Sequence, residues 1–238
     1  MGKKSTEPLQ ITIKLADGRI NSVDGMVMFD SIIYHAWFCK YAPQILQNGG
    51  EDDYAGGYMG LPFYQLPGSR YAASRGIYTE VSTSIEYTNK RPNFFSADKM
   101  QYLADIKGII SDASGLYRAY RIPFVIRTLK DKEITFYAMG NAEKINDLLS
   151  YIPAVGKKPA AGYGIIESWE IKACDADYSL WHPDFGLMRP VPIDSDEVNV
   201  YPEIAKKYPV MRYAVRPPYW KGKNMQTCYV PIEVRNDN

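Results

Sequence analysis

The sequence predicts an α+β fold: a ferredoxin-like (RRM-like) βαββαβ core with a large thumb-like insertion and an irregular C-terminal extension. Three observations predict it. Strand-like stretches occur at 9–15, 116–129, 134–140 and 165–174. Two stretches with helical spacing, 29–42 and 141–152, fall among them in the order of a split βαβ repeat. The tracts 43–115 and 175–238 keep to neither pattern. The core is therefore 9–174, interrupted by an insertion at 43–115, with 175–238 packed on it as an extension.

Taken in order, LQITIKL (9–15) alternates apolar and polar residues and reads as a strand. ADGRINSVDG follows as a turn-rich linker with two Asp-Gly pairs. FDSIIYHAWFCKYA (29–42) reads as a helix capped by Asp30 or Ser31, with Ile33, Trp37 and Tyr41 on one face, ending before Pro43. NGGEDDYAGGYMGLP (48–62) is a Gly-rich loop, and 70–91, rich in Thr, Tyr and β-branched residues, is a hairpin or long bent strand. A short helix at 96–106 and a return segment at 108–116 complete the insertion.

From 116 regularity returns. LYRAYRIPFVIRTL (116–129) is a strand, KDKE (130–133) a hairpin turn, and ITFYAMG (134–140) the return strand. NAEKINDLLSYI (141–152) starts on an Asn cap and puts Ile145, Leu148, Leu149 and Ile152 on one side. IIESWEIKAC (165–174) is the last strand of the core.

Hydrophobic residues make up 46% of the 238, which suits a globular chain with a real core. The start MGKKSTEP lacks the apolar stretch of a signal peptide. The longest apolar runs are far short of the roughly 18–20 residues that a membrane span needs. The expectation is a cytoplasmic protein with no membrane contact. Cys39, Cys174 and Cys228 are odd in number and widely spaced, which argues against a disulfide framework. With no CxxC pair and His35 far from His182, neither a metal site nor a cofactor is expected.

The net charge of +1 hides an asymmetry. Residues 70–130 hold ten basic side chains against five acidic, and 175–203 hold seven acids against Arg189 alone. A basic middle lets a neutral chain bind a polyanion locally. A solvated mixed surface explains the charge equally well.

Residues 153–170, PAVGKKPAAGYGIIESWE, carry Gly156, Gly162, Gly164, Lys157 and Lys158 between the second helix and the last strand. A nucleotide P-loop needs GxxxxGK[ST] between a strand and a helix. Here no Ser or Thr follows the lysines and the order is reversed. A pyrophosphate loop opening a helix fails for the same reason. Two readings remain. One is a helix-to-strand turn with Gly156 as the C-cap. The other is a loop pressed on a nucleic-acid backbone, with exposed glycine amides, phosphate charge from Lys157 and Lys158, and Tyr163 stacking a base. A cap accounts for one glycine, not for three with two lysines.

The core together with VGKKPAAGYGIIESWEI resembles the RAMP superfamily of CRISPR-associated RNA-binding proteins. With DGRINSVDGMVMFDSIIYHAW near the start, it looks most like the fifth Cas family, in particular the subunit of type IV effector complexes. The likeness covers about 9–45 and 116–174. It implies a subunit that caps the 5′ handle of the CRISPR RNA and abuts the backbone and large subunits. It also implies help in engaging target DNA beside its flanking motif. Carried over, Gly156, Lys157, Lys158, Gly162, Tyr163 and Gly164 match the RNA-binding loop, and 43–115 the thumb-bearing insertion. Its basic residues Arg70, Arg75, Lys90 and Arg91 are the candidates for DNA.

Arg118, Arg121 and Arg127 lie on the central strand. Period two puts Arg121 and Arg127 on one face, facing RNA if the sheet is a platform, and Arg118 on the other. Some relatives in the superfamily cleave precursor RNA, and metal-independent endoribonuclease activity is the alternative function. His35 is the obvious acid or base, but in IIYHAWF it reads as a core or boundary histidine on a buried helix. His182 reads as a loop residue. No catalytic residue is therefore assigned. Asp24 and Asp30 read as turn and cap residues rather than metal ligands. Trp37 and Trp169 read as core anchors. RPPYWKGK (216–223) suits contact with nucleic acid or a neighbouring subunit equally.

Overall fold

A computed structural model describes residues 6–47, 60–90, 120–157 and 159–231, with the side chains of Gln47 and Lys90 left aside. The expected helix at 96–106, the return at 108–116, Arg91, Arg118, Lys158 and most of the 48–62 loop lie outside the described residues. No helix among the described residues is long and apolar enough to cross a membrane.

Strand β1 (Glu7–Leu15) alternates as the sequence requires. Leu9, Ile11, Ile13 and Leu15 are buried, and the residues between them are partly open. It is followed by β2 (Arg19–Asn21), a short strand inside the predicted linker. Helix α1 (Phe29–Tyr41) buries Phe29, Ile32, Ile33, Ala36 and Phe38. The face expected from four-residue spacing spirals outward, from buried Ile33 through half-buried Trp37 to exposed Tyr41. No side chain caps α1. Its first amide donates to Ser74 O instead, and the Asp30 carboxylate turns inward to accept from Tyr219 Oη at 3.0 and 3.1 Å. Helix α2 (Pro43–Gln47) follows at once.

Beyond come β3 (Gln65–Leu66), β4 (Arg70–Tyr71), and the long β5 (Glu80–Lys90). Then follow β6 (Tyr120–Leu129), β7 (Glu133–Gly140), α3 (Ala142–Leu149) and β8 (Ile166–Ala173). Asn141 caps α3 by accepting from the Lys144 amide at 2.9 Å, as its sequence predicts. Ile145, Leu148, Leu149 and Ile152 are all buried. Strands β7, β1 and β8 form one antiparallel sheet in that order. Phe136 opposite Ile11 and Ile13 opposite Trp169 set its register against the helices.

The expected hairpin of β6 and β7 is corrected. The two are joined by a tight turn, but β6 enters a second antiparallel sheet, ordered β2–β6–β5. The Leu129 amide donates to Gly18 O at 2.8 Å and the Leu15 amide to Lys132 O at 2.7 Å, so the β1–β2 turn splits the pair. The free edge of β7 takes isolated bridges from Ala73 and Ile77. The fold is thus mixed α/β with several small antiparallel sheets. A period of two identifies a strand but not its partner.

The C-terminal region contains the hairpin β9 (Trp181–His182) and β10 (Gly186–Leu187). It also contains β11 (Val191–Pro192), α4 (Asp196–Val200), α5 (Glu203–Lys207), β12 (Val210–Ala214) and β13 (Met225–Tyr229). Strands β11, β13 and β12 make a third sheet.

An ion triad pins this region to the rest. Glu197 receives Arg70 at 2.6 Å and Arg189 at 2.5 Å, with Ser195 Oγ 3.0 Å away. Arg70 and Arg189 are each only 5% exposed. Burial pushes the Glu197 carboxyl up, and the two guanidiniums outweigh it, leaving it below its ordinary range.

Candidate nucleic-acid interface

The glycine-lysine loop is closed at its root. The Val155 amide donates to Gly164 O at 2.9 Å and Ala154 bridges Ile165. The Gly164 amide donates to Arg19 O at 2.7 Å, and the Lys157 amide to Asn21 O at 3.3 Å. These bonds join the loop to the outer edge of β2, the edge strand of the β2–β6–β5 sheet. Gly164 has φ +69°, and a Cβ there would sit 1.9 Å from Val155 O, so only glycine fits. Gly162, at φ +89°, faces open space.

The loop therefore divides into two parts. Gly156, Lys157 and residues 159–162 are exposed, while Tyr163 and Gly164 are buried. Exposed glycine amides were expected throughout. Those of Gly162 and Gly164 are instead bonded within the chain, as is the amide of Lys157.

Tyr163 is corrected too. At 6% exposure its ring cannot stack an incoming base. Its hydroxyl donates to the Glu86 carboxylate, which holds the phenol above its ordinary value. The ring meets Phe124 edge-on at 6.0 Å, and the Arg19 guanidinium lies 5.3 Å from its centroid. The tyrosine is the bolt that fastens the loop to the sheet.

Arg121 and Arg127 share a face of β6, opposite Asn89 and Thr83. Their surroundings differ because β2 flanks only the near end of β6. Arg127 is half-buried and committed to Glu80 at 2.5 Å, Ser22 O at 2.9 Å and Val23 O at 3.0 Å. It braces the sheet and is not free to meet a strand of RNA. Arg121 lies on the projecting two-stranded part, exposed, its guanidinium 3.6 Å from the Tyr87 ring centroid. That ribbon is open on both faces. Ile85, Tyr87, Tyr120 and Ile122 are all exposed, Ile85 at 59%.

Of the DNA candidates, Arg70 is corrected: it is buried in the triad with Glu197. Arg75 is half-buried, with its Nε directed to Leu187 O at 3.4 Å and its amide donating to Met188 O at 2.6 Å. Both tie the C-terminal region to the core, where a cation closes a gap between segments. Lys90 ends β5 on the ribbon.

His35 is exposed rather than buried, with Cys39 Sγ 3.6 Å from its Nε2. The helix turns that position outward between buried Ile33 and Ala36. His182 belongs to β9 rather than a loop and packs among Tyr137, Tyr178 and Phe185. Asp24 makes its turn by accepting from the Met26 amide at 3.0 Å and also receives Tyr213 Oη at 2.7 Å. No group of three or more metal-ligating side chains occurs among the described residues. Trp37 is half-buried and Trp169 bonds Asn146 at 2.9 Å, both as packing residues. In 216–223, Arg216 is bonded to Asn224 at 2.9 Å, while Trp220 stands exposed.

Sequence reasoning missed Arg19, which is exposed beside the loop and bound to Asp17 at 2.8 Å. It also missed Asn21, on the strand edge where the loop docks. Their only signal was position in a turn-rich linker.

The model of the family described as CRISPR type IV associated protein Csf3 matches residues 77–231, more than half of the chain. Among curated proteins nothing matches it.

Proposed function

This chain belongs to the family of the CRISPR type IV associated protein Csf3, and we propose that it is a non-catalytic RNA-binding subunit of a type IV effector complex. In this reading it caps the 5′ handle of the CRISPR RNA and helps engage target DNA beside its flanking motif. The carrying observation is the anchored loop. Its root is locked to the sheet, residues 159–162 beyond it are exposed, and Lys157, whose amide is one of the anchors, is exposed as well. An anchored support with an exposed cation beside it suits a phosphate chain, which is held by charge and shape rather than by base edges. Arg19 adds a cation on the face that Tyr163 covers, and Arg121 adds one on the opposite face of the ribbon. The exposed ribbon of β5 and β6, leading into the basic residues from Lys90 onward, is the arm offered to DNA. Trp220 is offered to a backbone or large subunit of the complex.

The test is binding of handle RNA over a range of salt. Replacing Lys157 and Lys158 with Ala should weaken binding and lower the salt slope by about one to two charges. An unchanged slope removes the loop as the contact. Incubation of the purified chain with repeat RNA and chelator separates this reading from an endoribonuclease. Specific cleavage lost in His35→Ala would overturn it.

A further inference from the structure

One buried atom beside the loop has no partner. Asn21 is 3% exposed, and its side-chain Oδ1 receives no hydrogen bond. Burying such an acceptor without a donor costs folding free energy. Its place in the fold is specific. Along β2, Arg19 and Asn21 point to the same face. That face also carries Phe124 and Glu86, which face each other across the ladder, and it is the face that Tyr163 covers. The loop docks on the strand edge beside it, since the Lys157 amide reaches the Asn21 backbone oxygen and a Cβ on Gly156 would come within 3.1 Å of that oxygen. The unsatisfied acceptor therefore sits on the sheet face that Tyr163 covers, next to the edge where the loop docks.

The chemistry of a nucleic-acid backbone narrows what could satisfy it. Phosphate oxygens only accept, and deoxyribose offers no donor within a strand. The ribose 2′-hydroxyl is the one donor on the chain's outside, and it is what distinguishes RNA from DNA. We propose that Asn21 is the acceptor for a ribose 2′-hydroxyl of the strand held by the loop, and so sets its preference for RNA over DNA. For a sugar to reach the buried Oδ1, the Lys157 bond to the Asn21 backbone oxygen, at 3.3 Å the longer of the loop's two bonds to β2, has to part. This rests on the proposed RNA-binding role of the loop.

The experiment measures binding of the full chain to oligouridine RNA, to its 2′-deoxy form, and to its 2′-O-methyl form. The wild type should prefer RNA over the deoxy form by about tenfold. The 2′-O-methyl form, which accepts but cannot donate, should bind like DNA. Asn21→Leu should abolish the preference, leave DNA binding unchanged, and melt no lower than the wild type, because no partner is lost. An RNA preference that survives Asn21→Leu, or 2′-O-methyl binding as tight as RNA, overturns the proposal. A lower melting temperature with equal loss of RNA and DNA also overturns it, by making Asn21 a structural residue. If Asn21→Leu does not fold, the 2′-O-methyl comparison on the wild type decides alone. The two readings fail separately. If the double lysine variant leaves both polymers untouched, the loop reading falls. If it weakens both while Asn21→Leu keeps the preference, only this inference falls.

Discussion

Gly164→Ala, set beside Gly162→Ala, measures how firmly the loop is anchored. Both glycines have positive φ, +69° and +89°. An alanine in that region costs about 1–2 kcal/mol from its Cβ alone. At Gly162 the cost ends there, because nothing stands within 4 Å of the added carbon. At Gly164 the carbon would lie 1.9 Å from Val155 O. That carbonyl is backbone and cannot swing aside. The strands of the loop must part, and two hydrogen bonds go with them: Val155 to Gly164 O and Gly164 to Arg19 O. At about 1 kcal/mol each, the total for Gly164→Ala is about 3–4 kcal/mol. Urea denaturation of both variants measures it directly, with the midpoint compared at constant slope. Gly164→Ala should also lose RNA binding well beyond Gly162→Ala. Equal costs at the two sites, or a Gly164→Ala variant within about 0.5 kcal/mol of the wild type, would refute the anchoring.

The remaining expectations concern ion pairs and pH. Glu197→Gln strands two buried guanidiniums and should cost about 3–5 kcal/mol in denaturant unfolding; a near-neutral effect would remove the triad as the clasp of the C-terminal region. Burial raises the Asp30 carboxyl to about 7, against hydrogen bonds from Tyr219 and the Ser31 amide. A folded value above the unfolded 3.8 means that the folded state holds the proton longer. Its contribution is therefore fully present below about pH 4 and is lost as the pH rises toward 7, by about 4 kcal/mol at most. Asp30→Asn should flatten that part of the stability profile, and an unaltered profile would contradict it. Arg127→Ala should destabilise by about 3 kcal/mol, since it removes a half-buried ion pair and two carbonyl bonds. Arg121→Ala should leave stability within about 0.5 kcal/mol while weakening nucleic-acid binding, and the reverse pattern would show that their roles are exchanged.

Much of the core was legible because its signals are local. Alternation located β1, β7 and β8. Asn141 announced the start of α3, and the apolar spacing of Ile145, Leu148 and Leu149 gave its buried face. The partner of β6 was not legible, because pairing depends on where β2 and β5 lie, and neither is written in β6 itself. The candidate site was half legible. Composition marked the glycine-lysine loop, and residues 156, 157 and 159–162 of it are exposed. Charge sign alone could not say that Arg70 and Arg127 are spent on Glu197 and Glu80, while Arg121 is open on the ribbon. Nor could residue type show that Tyr163 points inward to Glu86. A basic or aromatic side chain reads the same in sequence whether it binds a ligand or bolts two segments together. Asn21 carried no signal beyond its place in a turn-rich linker, since an orphaned acceptor exists only once the chain has folded around it.

The most direct measurement is ultraviolet cross-linking of the chain to the RNA that co-purifies with it, with cross-linked residues located by peptide mass spectrometry. Cross-links should fall on the exposed loop residues Gly156, Lys157 and 159–162 and on neighbouring Arg19. Cross-links confined to the C-terminal region, 175–231, or a chain that purifies without any defined RNA, would contradict the account.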